Sequence, residues 1–349
     1  MTIKNNRRIL YAGSLTPYGT CLARFHGLIA LGHHVSPLDY DSHLAFRSRL
    51  SSIMHHRFLI GPGIVSLNQE LLRRVQEGKP GIVWVDKGAY FFPKTLRKIK
   101  NTGALLVHHC TDDINVHSKH LKYYLKSLDI YDAHFTSNAL NINEMRKMTS
   151  SYVSFNEIGY DDNIHYPLKL NSNDNYFKSD IFFIGHWEEN TEQNIRALVD
   201  AGLPVTVRGP GWQGIRDRKL RAQVVKSGPI FLGDYVRAIN GGKIGLGIVS
   251  KLNRNTTAGR IFEIPACGTM LLAVRNPVTE RLYEDGKEAV LFGSTKELID
   301  KAAYYLKHPE ERKAIGQAGR QRCLANKCSW RHRVAEVLAE LQARNLLRA

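Results

Sequence analysis

One plan of strand, glycine-containing loop, helix and strand occurs twice in this chain of 349 residues, and it limits the fold more than any other feature. The first copy is RRILYAGSLTPYGTCLARFHGLIALGHHV at 7–35, in which an apolar run leads to Gly13. The second is SDIFFIGHWEENTEQNIRALVDAGLPVTVRG at 179–209, in which an apolar run leads to Gly185. Each copy is typical of the βαβ opening of a parallel sheet covered by helices on both faces. The repeat therefore predicts an α/β protein with two Rossmann-like domains.

Other apolar runs of strand length alternate with helical patterns in both halves. The predicted strands lie at 9–12, after Gly32, and at 81–85, 104–107, 134–136, 152–155, 181–184, 204–207, 230–232, 244–249, 270–274 and 290–292. Predicted helices include 67–76, 296–307, 310–326 and 330–347. Each half thus supplies enough strands for a sheet of its own.

A polar stretch separates the two halves. Residues 166–180, YPLKLNSNDNYFKSD, are rich in Asn, Ser and Asp, which is linker composition. We expect an amino-terminal Rossmann-like domain and a second Rossmann-like domain, joined by a linker and followed by a terminal helix. The expected boundaries are 1–168 for the first domain, 169–179 for the linker, 180–330 for the second domain and 331–349 for the helix.

Composition narrows the class of protein. Hydrophobic residues make up 43% and charged residues 23% of the chain, and no apolar run approaches the roughly 20 residues that span a bilayer. The five cysteines form no CxxC pair and no Cys/His ligand spacing, which favours reduced thiols in the cytoplasm and no metal site. The net charge of +17 points to an anionic partner: nucleic acid, an acidic membrane surface or a phosphorylated substrate. A basic surface that serves solubility alone is the alternative.

Ligands of doubly wound sheets bind beyond the carboxyl ends of the strands. The loops that follow the predicted strands are therefore the candidate site. They contain Gly13, Ser14, Asp86, Lys87, 108–113, Gly185, His186, 208–212, 233–235 and 251–260.

The stretch TTAGRIFEIPACGTMLLA at 256–273 places Glu263 in a short, otherwise apolar helix. Thr256 or Thr257 is the expected cap of this helix, Pro265 should kink it, and Gly268 should end it.

The start of this helix combines cations with one acid. Its amino terminus, with Lys251, Arg254 and Arg260, would attract phosphate, and Gly259 would let an anion approach the backbone. A carboxylate one turn later would repel phosphate, but it can accept hydrogen bonds from the vicinal diol of a ribose. The pattern predicts a nucleoside diphosphate site in which Glu263 holds the ribose. The alternative is a structural ion pair between Glu263 and an arginine.

Residues 180–335 resemble the carboxy-terminal domain of GT-B glycosyltransferases of the group 1 type, with the closest likeness to spore-maturation glycosyltransferase-like proteins. The likeness rests on PIFLGDY at 229–235, GRIFEIPACGTMLLA at 259–273, TERLYEDGKEAVLF at 279–292 and the tail at 296–330. The first half is similar in kind through RRILYAGS, GIVWVDKG and YDAHFTSN. The resemblance implies two Rossmann-like domains whose parallel sheets face a central cleft.

The resemblance also implies an activity: transfer of a sugar from a nucleotide-diphosphate sugar to a hydroxyl of a glycan, glycolipid or protein acceptor. The carboxy-terminal domain would hold the donor, and the amino-terminal domain, with Gly13 and Ser14, would receive the acceptor. Leu232 to Tyr235 would flank the base, and protein cations would neutralise the diphosphate without a metal or cofactor. The implied donor set is Glu263, Arg260, Gly259, Thr257, Lys251, Arg208, Gly185, Leu232 and Tyr235.

The chain departs from the family pattern at Asn255, where many group 1 enzymes carry a second glutamate, and this leaves retaining and inverting outcomes both open. An inverting enzyme needs a catalytic base. VHHCTDDINVH offers His109, Asp112 and Asp113 at a strand end, and Asp86 ends another strand. Adjacent acids can instead cap the following helix.

Three other classes of protein compete with the transferase. A nucleic-acid-binding protein would suit the charge, but no recognition motif is present. A catalytically silent GT-B protein would keep the fold alone. A nicotinamide-dependent dehydrogenase would need GxGxxG, which neither opening loop contains. We expect a cytoplasmic hexosyltransferase of polysaccharide biosynthesis that works on a cell-surface glycan or glycolipid. Peripheral contact with the anionic inner face of a membrane would fit the charge.

Overall fold

The computed structural model describes residues 6–17, 19–44, 59–116, 121–251, 254 and 256–347. The chain divides into two compact units. The first unit combines Met1–Glu157 with Trp330–Ala349, and the second is Ile158–Ser329. The terminal helix therefore belongs to the first unit, although the second unit precedes it in the sequence.

The described part of the first unit forms a six-stranded parallel sheet in the order β2-β1-β3-β4-β5-β6. Its strands are β1 (Arg8–Gly13), β2 (His34–Asp39), β3 (Ile82–Asp86), β4 (Leu105–Cys110), β5 (Ala133–Thr136) and β6 (Tyr152–Phe155). Its helices are α1 (Thr20–Ala30), α2 (Pro62–Gly78), α3 (Pro93–Lys100), α4 (Lys122–Leu125), α5 (Ala139–Arg146) and α13 (Trp330–Ala343), with a 3-10 helix at Leu128–Ile130.

Strand β3 shows why this sheet is covered on both faces. All five of its residues are buried, as expected for a central parallel strand. Because side chains alternate along a strand, Val83 and Val85 join one apolar core while Ile82 and Trp84 join the other. Helix α13 covers the second core with side chains at helical spacing, among them Val334, Val337, Leu338 and Leu341.

The second unit contains a separate six-stranded parallel sheet in the order β12-β11-β10-β7-β8-β9. Its strands are β7 (Ser179–Ile184), β8 (Val205–Arg208), β9 (Val225–Ser227), β10 (Gly242–Gly247), β11 (Met270–Val274) and β12 (Val290–Phe292). Its helices are α6 (Glu189–Asp200), α7 (Arg218–Val224), α8 (Leu232–Gly241), α9 (Arg260–Ala266), α10 (Pro277–Leu282), α11 (Thr295–Lys307) and α12 (Pro309–Ala325), with 3-10 helices at Ser172–Phe177 and Trp212–Gly214.

The prediction of a strand at 230–232 is wrong. The outer strand of the sheet is β9, and the predicted segment leads into helix α8, with Phe231 and Leu232 exposed. A three-residue apolar run fits a strand, a helix or an exposed loop, so periodicity does not distinguish them. The strands predicted at 152–155, 270–274 and 290–292 are confirmed.

Three fully buried histidines in the first unit make its stability depend on pH. Burial lowers the pKa of His109 to about 3 and that of His134 to about 4, and burial, followed by the charge of His134, lowers the pKa of His108 well below its usual value. In the unfolded chain each histidine titrates near pH 6.5. Below that pH the unfolded chain therefore binds protons that the folded chain does not.

We expect the contribution of these three histidines to the free energy of unfolding to be complete above pH ~6.5 and to fall as the pH drops below that value. The loss should be about 1.4 kcal/mol per pH unit for each histidine, and roughly three times that for all three. Urea denaturation between about pH 7 and pH 5 measures it. His109→Gln should flatten the dependence, whereas His34→Gln, at an exposed residue, should leave it unchanged. An unchanged slope in His109→Gln would contradict the account.

Candidate functional site

The second sheet has a topological switch point between β7 and β10. Strand β7 pairs with β8 on one side and with β10 on the other, so the loops after β7 and β10 leave the sheet next to each other. Such a point is where open parallel sheets bind ligands. The switch point lies within the second unit and is the candidate donor site.

Arg260 bridges this switch point. Its Nη1 donates to the carbonyl oxygen of Ile184 at 3.2 Å, at the end of β7, and its Nη2 donates to that of Ile248 at 2.9 Å, just beyond β10. The guanidinium lies 4.6 Å from the ring centroid of Phe183. A Cβ on Gly185 would come within 2.6 Å of Arg260 Nη1, which explains glycine there.

Among the described residues, the charge of Arg260 has no acidic counterion. The side chain is half-buried, and no acidic side chain in the described ranges pairs with it. Its Nε is buried without a hydrogen-bond partner among these residues. A buried or half-buried cation is normally paired. The arrangement therefore presents an uncompensated positive charge at the point where a ligand should bind.

Glu263 lies one turn after Arg260 and is held by Tyr235. The Tyr235 hydroxyl donates to Glu263 Oε2 at 2.5 Å. Burial, followed by the charge of Glu263, raises the pKa of Tyr235 well above its usual value, so the hydroxyl stays protonated and donates. A Cβ on Gly259 would lie 2.6 Å from Glu263 Oε1. The missing side chain of Gly259 thus makes room for the carboxylate of its own helix.

The start of helix α9 differs from the prediction. Gly259 occupies the cap position, and Thr257 is buried before the helix begins. The helix has only seven residues. The expected stop at Gly268 is confirmed by its φ of 77°. Lys251 is exposed, its backbone N–H donates to Glu188 Oε2 at 3.1 Å, and Asn255 lies outside the described residues.

Two other predicted donor residues have different surroundings. Arg208 is buried: its Nη2 donates to the carbonyl oxygen of Tyr176 at 2.6 Å and its Nη1 to Ser227 Oγ at 3.2 Å. These contacts tie the 3-10 helix that contains Tyr176 to the sheet, so we leave Arg208 out of the diphosphate set. Leu232 is exposed, with a φ of 48°, at the start of α8.

In the first unit, the structure gives Asp86 a structural position. It is fully buried, and Arg24 contacts both of its oxygens, with Nε to Oδ2 at 2.9 Å and Nη2 to Oδ1 at 2.6 Å. The Tyr11 hydroxyl also donates to it. Burial would raise the pKa of Asp86, but the charge of Arg24 outweighs it and lowers the pKa below its usual value. A carboxylate so enclosed cannot reach an acceptor hydroxyl.

His109 is likewise enclosed. It is fully buried, its ring stacks on Trp84, and its Nε2 lies 3.2 Å from Asn156 Oδ1. Asp113 is also buried, and its Oδ1 accepts from the backbone N–H groups of Asn115 at 2.9 Å and Val116 at 3.1 Å. Asp113 therefore caps the turn that follows it. This agrees with the alternative interpretation, in which one of the adjacent acids is a cap and not a catalytic base.

Asp112 is the accessible member of the predicted catalytic group. Its carboxylate is partly exposed and lies 3.1 Å from Lys87 Nζ. Burial opposes the charge of Lys87, but the charge of Asp112 prevails and raises the pKa of Lys87 above its usual value. Lys87 has a φ of 60°, and its backbone N–H donates to the His109 carbonyl oxygen at 2.8 Å. The left-handed backbone of Lys87 and this hydrogen bond place the Lys87–Asp112 ion pair directly after β3.

Gly13 is the last residue of β1 and Ser14 follows it, at the same end of the first sheet. A Cβ on Gly13 would lie 3.2 Å from Asp86 Cβ, and Ser14 Oγ donates to Asp41 Oδ2 at 2.6 Å. The sequence did not predict that Arg24 pairs with Asp86 or that Asp41 accepts from Ser14, because these partners are distant along the chain. Within the described ranges, no group of three or more His, Cys, Asp or Glu side chains could hold a metal ion. The helices described there are too short or too polar to cross a membrane.

Comparison with known proteins adds a family match over part of the chain and a fold. Residues 189–339 match the family described as glycosyl transferase-like. No curated protein matches the chain significantly. The structure resembles sucrose-phosphate synthase from Thermosynechococcus elongatus, with a TM-score of 0.66, 12% identity, and coverage of 97% of this chain and 100% of that one.

Two further solved structures are similar to this chain. Anabaena HepE in complex with UDP and glucose has a TM-score of 0.61 and 14% identity, over 96% of this chain and 100% of that one. The UDP-forming trehalose-phosphate synthase from Burkholderia xenovorans, in complex with glucose-6-phosphate, has a TM-score of 0.63 and 11% identity, again over 96% and 100%. The likeness confirms the GT-B fold. It does not show special closeness to the spore-maturation proteins.

Proposed function

We propose that this chain, whose residues 189–339 match the glycosyl transferase-like family and whose structure has the GT-B fold, transfers a sugar from a UDP-sugar to an acceptor hydroxyl. The observation that carries the proposal is Arg260, an uncompensated cation fixed to the ends of two strands at the switch point. Because a fold hosts many activities, this site and the family match support the proposal more than the fold does.

The donor would be held by residues of the second unit alone. Arg260 and the exposed Lys251 would neutralise the diphosphate, a role that needs no metal ion. Glu263 would accept hydrogen bonds from the ribose hydroxyls, with Tyr235 fixing one of its oxygens. Leu232, at the exposed start of α8, would lie against the base. Tyr235, which was predicted to contact the base, is therefore proposed to position the Glu263 carboxylate that accepts from the ribose.

Uridine is the proposed base. Anabaena HepE has been solved with UDP and with UDP-glucose, and the trehalose-phosphate synthase from Burkholderia xenovorans is UDP-forming. These ligands are those of the neighbours, which are 11–14% identical to this chain. The proposed contacts of Glu263 with the ribose and of Arg260 with the diphosphate would be common to nucleoside diphosphates, so the choice of uridine rests on these neighbours.

In the transfer step, the acceptor oxygen forms a bond to the anomeric carbon. The bond from that carbon to the diphosphate oxygen breaks, and UDP leaves with the electron pair. The acceptor proton passes to a base if the outcome is inversion, and to an oxygen of the departing diphosphate if the configuration is retained. Asp112 is our candidate for that base, because its carboxylate is accessible and Lys87 orients it. The acceptor would be a cell-surface glycan or glycolipid.

A thermal-shift panel of UDP, GDP, TDP, CMP and ADP tests the proposal. UDP should stabilise the wild type most, by about 2.7 kcal/mol when supplied at about a hundred times its Kd. Asp112→Asn, in the other unit, should keep this stabilisation and lose sugar transfer from UDP-glucose. If no nucleotide stabilises a folded wild type, the transferase proposal loses its support. If GDP or ADP is preferred, only the base is wrong.

A further inference from the structure

A pocket at the amino ends of the strands in the first unit has no role in the proposed reaction. It has a volume of about 530 Å³, and it lies between the starts of β1, β3 and β4. The acceptor-side candidate Gly13 ends β1, and the candidate base Asp112 comes shortly after β4, so both lie at the opposite end of this sheet. The pocket is therefore separate from them.

Among the charged side chains that line this pocket, cations outnumber acids. Four cationic side chains and one acidic side chain line it: Arg7, Arg8, Lys79, Lys100 and Asp132. The acid is already engaged, because Lys100 Nζ lies 3.3 Å from Asp132 Oδ1 and the Leu106 N–H donates to Oδ2 at 2.8 Å. Asp132 consequently compensates Lys100, and Arg8 and Lys79 are the cations of the lining that remain to be considered.

Two of these cations lack a counterion within the described ranges. Arg8 and Lys79 are both exposed, and neither forms an ion pair with a described acidic residue. Lys79 also adopts a φ of 42°, a left-handed conformation that favours glycine, at the end of α2. The chain thus places a lysine where glycine would be the ordinary choice.

The floor of the pocket is apolar. Ile82 and Leu105 come from β3 and β4, and Leu346 and Leu347 follow α13. A cationic rim over apolar side chains fits a phosphate group that is attached to an organic body. We propose that this pocket binds a phosphate ester. A lipid headgroup and a soluble phosphorylated metabolite share this chemistry.

The test compares Arg8→Ala/Lys79→Ala with Arg97→Ala/Lys98→Ala in the full chain. The control removes two exposed cations from α3 and changes the net charge equally. The two probes are vesicles of equimolar phosphatidylcholine and phosphatidic acid, measured by co-sedimentation, and glycerol phosphate, measured by calorimetry. The melting temperature of each variant verifies that it is folded.

We expect the wild type to bind at least one probe. The pocket variant should lose about fivefold in affinity for each cation removed, or roughly thirtyfold in all, while the control changes little. Vesicle binding alone would assign a lipid phosphate, and glycerol phosphate binding a soluble one. Equal losses in both variants would mean unspecific attraction to a basic surface. That result, or no binding by the wild type, would overturn the proposal.

Discussion

Replacing Glu263 with glutamine should weaken UDP binding by roughly ten- to hundredfold. The carboxylate is proposed to accept hydrogen bonds from the ribose, and a hydrogen bond to a charged group contributes about 1.5–3 kcal/mol. Glutamine preserves the size of the side chain but not its charge, so the helix that carries it should remain folded. Calorimetric titration of UDP into the wild type and Glu263→Gln measures the change.

A nucleotide that lacks one ribose hydroxyl, 2′-deoxy-UDP, supplies the control for this result. If Glu263 binds the diol, Glu263→Gln should lose much less affinity for 2′-deoxy-UDP than for UDP, because the missing hydroxyl removes the interaction in both proteins. Tyr235→Phe removes the hydroxyl that donates to Glu263 and keeps the ring. It should give a smaller loss in the same direction. Equal losses for both nucleotides would show that Glu263 acts structurally.

Replacing Arg24 with alanine should cost about 3–5 kcal/mol in the free energy of unfolding. Arg24 and Asp86 are both fully buried, with the two contacts of 2.6 and 2.9 Å described above. The alanine variant leaves the Asp86 carboxylate buried without its cation, and it also removes the guanidinium 4.6 Å from the Trp330 ring centroid. Urea denaturation at neutral pH measures the loss.

An exposed ion pair provides the comparison for Arg24. Arg73 pairs with Glu70 on the surface of α2, and its side chain is 52% exposed. Arg73→Ala should therefore change the free energy of unfolding very little. A double replacement, Arg24→Met with Asp86→Leu, should be less destabilising than Arg24→Ala, since no buried charge remains. If Arg24→Ala unfolds no more easily than Arg73→Ala, the buried pair is not a stabilising element.

Local patterns explain how much of this protein its sequence predicts. The strands with long apolar runs are found where expected, because burial on both faces leaves a continuous signal. Arg260 and Glu263 lie three residues apart, so one short helix suffices to place them together. The repeated opening likewise predicts two sheets, which the structure contains.

Contacts between distant residues explain what the sequence does not predict. The sequence predicts that Asp86 is an accessible acid, but Arg24, 62 residues earlier, forms an ion pair with it in the core. The sequence predicts that Arg208 binds phosphate, but its guanidinium donates to the carbonyl oxygen of Tyr176, 32 residues away. Helix α13 follows the second unit in sequence but packs in the first. Such pairings depend on tertiary packing, which no local pattern contains.

The measurement that tests the central claim most directly is a calorimetric titration of the wild-type chain with UDP and with 2′-deoxy-UDP. If the switch point of the second unit holds the donor nucleotide with its ribose on Glu263, UDP should bind at least about tenfold more tightly than its deoxy analogue. Failure of a folded chain to bind UDP, or equal affinity for the two nucleotides, would contradict the account.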